Sequence, residues 1–351
     1  MTSSPVAESA GERVGAESET LVLTREDVAR LLPVDACIEA VERGFERHAR
    51  GESIAPGLLG THVDGGGFHV KTAGLRDAAA GRAVFAAKVN ANFPANPDQL
   101  GLPTIQGVIA LFDGVDGRVL ALLDSIEVTS LRTAAATAVA ARHLAPHGGI
   151  VTVCGCGEQS RYQLRALACV RRLRRVLAFD LHAARAAGFA RDMAGELGVE
   201  AIAVRDMSEG AAETDIWITC TTARRWFLGR AHVAPGAFVA AVGADNPQKQ
   251  ELEPELLARN VVVADLLEQC AAIGDIHHAI AAGLMGREQV RGELADVVSG
   301  RTPGRLAAKE IIVFDSTGTA VQDVAAASLV YERARATGAG LPIRLGGARR
   351  G

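Results

Sequence analysis

The sequence predicts an α/β protein, with a doubly wound parallel sheet in its second half and a smaller α+β region before it. Three observations carry this. Beyond residue 131, short apolar runs alternate with stretches of helical periodicity. Those runs are apolar at consecutive positions, as in strands covered on both faces. The first of them, IVTVC, opens directly into the glycine-rich turn GCGEQS.

Composition sets the frame. A chain of 351 residues accommodates two domains of ordinary size. With 48% apolar and 22% charged residues it reads as globular, and a net charge of -4 gives no reason to expect nucleic acid or an anionic membrane as partner. The basic run RRLRR (171–175) is local and reads as a solvated helix end. Cys37, Cys154, Cys156, Cys169, Cys220 and Cys270 have neither zinc-site spacing nor the density of a disulfide scaffold, so free thiols and no metal are expected. No apolar run approaches the ~20 residues of a membrane span, and the N-terminus has no apolar signal core. A cytoplasmic protein with a disordered segment over residues 1–19 is the expectation.

Folding is expected to begin at TLVLT (20–24), where Thr24 and Asp27 make a capping-box pattern for a short helix. A second helix covers 33–50, with Ile38, Val41 and Phe45 at helical spacing and Gly51 as its stop. FHVKTA (68–73) and VFAAKVN (84–90) read as strands, and GVIALFD (107–113) with RVLALLDS (118–125) as a hairpin about GVDG. A helix follows over 132–145, with Arg132 at its start. Then come strands at 150–154, 176–180, 201–204, 215–221, 238–244, 261–265 and 311–316, separated by spans long enough for crossovers, and a last helix over 320–336.

In GCGEQS, Gly155 permits a tight turn, Gly157 lets a pyrophosphate approach the N-terminus of the helix that follows, and Ser160 is small enough for close packing. Alone the motif fits a plain loop equally well. Asp180, at the end of VLAFD, adds an acid where the adenosine ribose hydroxyls need an acceptor, and together these indicate a dinucleotide site. A carboxylate there repels a 2′-phosphate, which favours NAD; Arg185 is the residue that argues the other way. A thiol site at Cys154 and Cys156 is disfavoured, since Cys154 lies inside the strand and no further ligand is near.

The stretches AAKVNANFPANP (86–97), GLPTIQGVI (101–109), LRTAAATAVAARHLA (131–145), GCGEQS (155–160), VGADNPQKQEL (242–252) and IIVFDSTGTAVQD (311–323) occur in this order. In them the chain resembles the ornithine cyclodeaminase/μ-crystallin family. The resemblance implies a Rossmann-type dinucleotide-binding domain over 131–317. It also implies a substrate-binding and dimerisation domain built from 20–130 together with 318–345, a homodimer, and hydride chemistry at the α-carbon of an amino acid or imine. Lys88 and Arg132 match the family's substrate-facing cations, and Asp245 its catalytic aspartate, with Lys88 beside it in that role. Thr104, Arg132, Gly155, Gly157, Glu158, Gln159, Asp180, Thr221, Lys249 and Ser316 match dinucleotide contacts.

The chemistry is consistent with those roles. An arginine holds a carboxylate bidentately and a lysine adds a point charge, while Asp245 follows a strand end, where it can take a proton from an amine. Each has a plainer reading: Lys88 as an edge-strand charge, Arg132 as a solvated arginine, Asp245 as a turn residue. Leu58 stands where the resemblance leads one to expect a carboxylate-binding arginine, and Lys71 is the candidate to compensate, with Phe68 and Val70 turned toward the core. His277 and His278 are adjacent on a helix, diverge by about 100°, and read as surface or interface residues. Asp315 reads as an organiser of the turn beneath the nicotinamide. Ornithine cyclodeamination to proline and ammonia leads the resulting expectations; an alanine-type dehydrogenase or cyclic imine reductase, and a non-catalytic NAD(P)H-binding protein, are the alternatives.

Overall fold

The computed structural model describes residues 19–77 and 81–345. Of the segment expected to be disordered, residues 1–18 lie outside those described. The chain divides into two compact units, the first comprising Met1–Leu32, Glu52–Val128 and Asp323–Gly351, the second Pro33–Gly51 and Thr129–Gln322. The boundary expected near 130 thus comes with an earlier excursion over 33–51. The helix there buries Cys37, Ile38, Val41 and Phe45 and packs against helices at 158–170 and 294–298 of the second unit.

The first unit is a seven-stranded sheet. β1 (Thr20–Leu23) leads into α1 (Arg25–Leu31), whose cap is reciprocal: Thr24 Oγ1 accepts from Asp27 N at 3.2 Å, and Thr24 N donates to the Asp27 carboxylate at 3.1 Å. β2 (Ser53–Val63), β3 (Gly66–Asp77), β4 (Arg82–Asn92), β5 (Ile105–Asp113) and β6 (Val119–Asp124) form an antiparallel meander. β1 lies parallel to β6, and β17 (Leu341–Ile343) closes the far edge. β2 went unread in the sequence because Pro56 and two glycines interrupt it. It is an edge strand, and its register shifts between Ile54 and Gly57, where a proline is tolerated.

Register fixes the two faces. Leu58, Lys71, Lys88, Ile109 and Leu123 lie in one row across β2 to β6, and Lys88, Ile109 and Leu123 are buried. The neighbouring row on the opposite face is Leu59, Val70, Val89 and Val108, of which Leu59, Val89 and Val108 are exposed. Phe68 and Val70 therefore turn to the outer face, the reverse of the expectation, and it is Lys71 that shares the buried side. Lys88 is on a central strand, so the edge-strand reading does not hold.

α2 (Val34–Ala49), α3 (Asn96–Leu100) and α4 (Ser125–Leu144) precede the second sheet. α4 starts seven residues before the expected helix, because Asp124 Oδ1 accepts the N–H groups of Ile126 and Glu127 at 3.0 and 3.3 Å and caps it there. Arg132 is consequently a mid-helix residue, 4% exposed, and not a solvated arginine at a helix start.

The second unit is the predicted doubly wound sheet. β7 (Ile150–Cys154), β8 (Arg175–Phe179), β9 (Glu200–Ala203), β10 (Ile216–Thr219), β12 (Phe238–Ala241), β14 (Val261–Ala264), β15 (Gly292–Glu293) and β16 (Ile312–Asp315) are all parallel, in the order β15-β14-β16-β12-β10-β7-β8-β9. The order reverses direction between β7 and β10, which makes their carboxyl ends the ligand-binding crevice of an open α/β sheet. α5 (Glu158–Val170) and α6 (Ala183–Leu197) are crossovers; β11 (Arg224–Leu228) and β13 (Gln250–Leu252) form a separate two-stranded ribbon. α7 (Pro254–Ala258), α8 (Leu267–Ile273), α9 (Asp275–Ala281) and α10 (Leu294–Val298) follow, and α11 (Ala320–Thr337) is the last helix.

One smaller reading changes. Arg171 is a partner rather than a solvated end: its Nη2 donates to the carbonyls of Ala141 and Arg142, the last turn of α4. All six cysteines are free, and burial pushes the Cys37, Cys156 and Cys220 thiols to about 12, in keeping with packing roles. No helix among the described residues is long and apolar enough to cross a membrane.

Candidate functional site

The carboxyl edge of the second sheet brings together most of the residues singled out in the sequence. Gly155 has φ +93°, and a Cβ there would meet Thr221 Cγ2 at 2.7 Å, so only glycine makes this turn. Gly157 is the N-cap of α5, has no side-chain cap, and would carry a Cβ into open space. Glu158 and Gln159 open the helix, and the Gln159 amide donates to the Ser130 carbonyl at 3.1 Å. Asp180 closes the turn from the neighbouring strand end: Oδ2 accepts from Cys156 N and Oδ1 from His182 N, both at 2.9 Å. Arg185 stands 3.8 Å from the same carboxylate.

Asp245 lies beyond β12 with its side chain 51% exposed, in an ion pair with Lys249 at 2.7 Å. The Lys249 carbonyl accepts from His278 Nε2 at 2.8 Å, and His277 Nδ1 lies 3.3 Å from the Ala271 carbonyl, so each imidazole is engaged with backbone rather than with a shared ligand. Thr221 N donates to Glu251, and Thr221 Oγ1 accepts from Ala223 N. Ser316 Oγ donates to Asp265, whose carboxylate also takes Gly318 N at 2.7 Å and holds the turn after β16. Asp315 is fully buried and accepts from Ile276 N at 2.8 Å; burial, with Asp275 beside it, pushes its carboxyl well above the usual range. In the same unit Arg132 donates to Gln322 Oε1 at 2.8 Å, and Gly318, at φ +75°, leaves the guanidinium the space a side chain would take.

In the first unit the decisive feature is an ion pair. Lys88 Nζ lies 2.8 and 2.7 Å from the two oxygens of Asp323, the partners being 3% and 1% exposed. Lys71 is directly opposite Lys88 across the β3–β4 ladder, with Leu58 opposite Lys71 on β2. Thr104 lies in the loop before β5, where its carbonyl accepts from Phe93 N at 2.8 Å.

Sequence reasoning assigned no role to Asp323, Gln322, Glu251, Asp265 or Asp275. An acid in the first turn of a helix, as Asp323 is, needs no explanation beyond the helix dipole, so the string carries no signal of its pairing. A buried glutamate in QEL looks like any solvated one.

With this geometry in view, comparison with known proteins is direct. The model of the ornithine cyclodeaminase/mu-crystallin family matches residues 18–338. The chain belongs to that family. Alanine dehydrogenase of Archaeoglobus fulgidus is 36% identical over 327 residues, 93% of this chain and 98% of that protein. Among solved structures, an archaeal alanine dehydrogenase dimer with bound NAD superposes with a TM-score of 0.88 at 35% identity, covering 93% of this chain and 100% of that one. The Δ1-pyrroline-2-carboxylate reductase of Thermococcus litoralis, in complex with NADH and L-proline, gives 0.87 at 31% identity, covering 92% and 100%. These likenesses bear out the family and the Rossmann-type α/β fold expected from the sequence.

Proposed function

We propose that this family member is an NAD-dependent enzyme that moves hydride at the α-carbon of a small L-amino acid or of the corresponding imine, with net oxidation or reduction. The observation that carries the reading is the glycine turn of Gly155 and Gly157 closed by Asp180, at the same sheet edge that presents Thr221, Asp245, Lys249 and Ser316. The likeness to an alanine dehydrogenase and an imine reductase favours net redox over ornithine cyclodeamination, the expectation that led in the sequence.

The residues fit the dinucleotide. Gly157 leaves the approach to the 13-residue helix α5 open, and a helix N-terminus with no side-chain cap attracts a pyrophosphate. Gly155, Gly157, Glu158 and Gln159 would hold the phosphates and Asp180 the ribose hydroxyls, with Thr104, Arg132, Thr221, Lys249 and Ser316 as the further contacts. When bound, NAD supplies the hydride acceptor and NADH the donor. The chain itself binds, orients and moves protons. Arg132, held in place by Gln322, presents a guanidinium suited to a carboxylate. Lys88, fixed by Asp323, and Lys71 across the ladder present ammonium groups to an anionic substrate. Asp245 takes the proton released at the amine, and Lys249 orients it.

We further infer a homodimer, as the archaeal neighbour is one. The test of the function is to supply NAD, first in trace and then in excess, with single α-amino acids, following NADH by its near-ultraviolet absorbance and ammonia release in parallel. NADH that accumulates with excess NAD supports the dehydrogenase reading. Ammonia with no net NADH means cyclodeamination. Neither product from amino acids, together with no loss of NADH when NADH is supplied with cyclic imines, reduces the protein to a dinucleotide binder.

A further inference from the structure

We propose that Glu251 is a positioning residue for this chemistry: its buried carboxylate ties the ends of β10 and β12 together and so sets where Thr221 and Asp245 stand. The inference rests on the reading of those two residues given above.

β10 and β12 pair in register only as far as Thr219 and Ala241, with one last ladder bond from Val242 N to the Thr219 carbonyl. The backbone N–H groups that follow, on Thr221 and Gly243, need acceptors from elsewhere. Glu251 supplies both. Its Oε1 accepts from Thr221 N at 2.6 Å, and its Oε2 accepts from Gly243 N at 2.8 Å and from the Thr219 hydroxyl at 2.6 Å. Gly243 is what admits it, because a Cβ at that position would run into the carboxylate.

The chemistry of the group is specific. Each oxygen faces a backbone N–H, so an amide fits neither way round: its NH2 would meet a donor at one end or the other. A protonated acid fits only if the Thr219 hydroxyl turns round to accept from it. Burial pushes the Glu251 carboxyl up, and the bonds from Thr219, Thr221 and Gly243 oppose that shift and favour the ionised form. The strand that carries it is braced in turn. Asp275 Oδ1 accepts from Glu251 N and Leu252 N at 2.9 and 3.0 Å, and Asp315 Oδ2 accepts from Ile276 N. Three fully buried carboxyl groups in series thus connect the end of β16 to the segment that leads, two residues after Gly243, to Asp245.

Reacting groups tolerate little displacement: a shift of about 1 Å costs on the order of 10²-fold in rate. A clamp that served stability alone would, when removed, lower the melting temperature and leave turnover of the folded enzyme intact. A positioning residue lowers kcat at nearly constant KM.

The experiment compares the full-length protein with Glu251→Gln and Thr219→Val, measuring kcat and KM for the best amino-acid substrate at saturating NAD, NADH affinity by fluorescence titration, and Tm. Glu251→Gln is expected to lower kcat by on the order of 10²-fold with KM within about threefold, and to weaken NADH at least about threefold through Thr221. Turnover within about twofold of the parent, measured well below Tm, overturns the proposal. If Glu251→Gln does not fold, Thr219→Val decides, since it removes one donor only: a kcat lowered about three- to tenfold at unchanged KM supports the role, and an unchanged kcat overturns it. If the parent protein turns over no amino acid or imine, the functional reading has failed by itself. The role of Glu251 is then read from NADH alone, where unchanged affinity in Glu251→Gln overturns it and weakened affinity supports it.

Discussion

At the scale of single residues, charge placement sets what is expected of the cofactor and of the substrate. Asp180 accepts one backbone N–H on each oxygen and places a carboxylate at the end of β8, so NAD(H) is expected to bind at least ~10-fold better than NADP(H), ~1.4 kcal/mol. Asp180→Ala should weaken NAD and narrow that gap; equal affinities in the parent protein would show that Arg185 has cancelled the carboxylate. Lys71 makes a second test. Lys71 lies directly opposite Lys88 on the ladder, which places a second cation beside the buried Lys88–Asp323 pair. With Leu58 opposite it on β2, Lys71 is the residue that the compensation assigns to a substrate carboxylate. Lys71→Met should therefore raise KM for an amino acid roughly 10- to 100-fold, the ~1.5–3 kcal/mol of one charge-assisted bond, and leave NAD affinity unchanged. Normal KM in that variant would sink the compensation.

At the scale of elements, the outer face of the first sheet is the unsatisfied one. Leu59, Val70, Val89 and Val108 run in register across four strands, and three of them are exposed. Covering such a row contributes on the order of 1.5–3 kcal/mol per side chain, and in the homodimer proposed above a second copy of the chain would supply the cover. Val89→Asp should dissociate the dimer, read as a halved mass by light scattering, with each monomer still folded; a monomeric parent protein would remove the premise. This face was not legible in the string, where FHVKTA gave alternation without direction, and the choice of Phe68 and Val70 as core residues came out reversed. The start of α4 was legible in principle: Asp124 and Glu127 are a capping pattern, but they stood at the end of an apolar run read as strand.

At the scale of the whole molecule, the buried carboxyl groups make stability depend on pH in an unusual direction. Burial, then Glu251 beside it, pushes Asp275 from 3.8 to about 7, and Asp315 is raised as well. A carboxyl raised in the fold binds its proton more tightly there than in the unfolded chain. Its contribution is complete below the unfolded value near 3.8 and is lost as pH rises through about 7. Glu310, held near 2 chiefly by its hydrogen bond from Arg291, works in the opposite sense, but in a window below 4.5. Tm should thus fall between about pH 5 and 8. Asp275→Asn keeps the acceptor for Glu251 N and Leu252 N, places an NH2 where Oδ2 has no partner, and should flatten that slope by up to ~1.4 kcal/mol per pH unit. An unchanged slope would assign the proton elsewhere.

What the sequence determined by itself was local. The Thr24 cap, the apolar parallel strands, the turn at Gly155 and Gly157 and the acid at the end of β8 are each written within a few residues or one βαβ unit, because capping, strand periodicity and turn geometry depend on near neighbours. Tertiary structure alone decided the rest. Lys88 meets Asp323 across 235 positions of sequence and Arg132 meets Gln322 across 190, and Glu251 reaches three donors at or just past the ends of two other strands. A charged side chain reads as solvated until a partner is brought to it, and only the folded arrangement of strands and helices, by removing water from both, makes the pair obligatory.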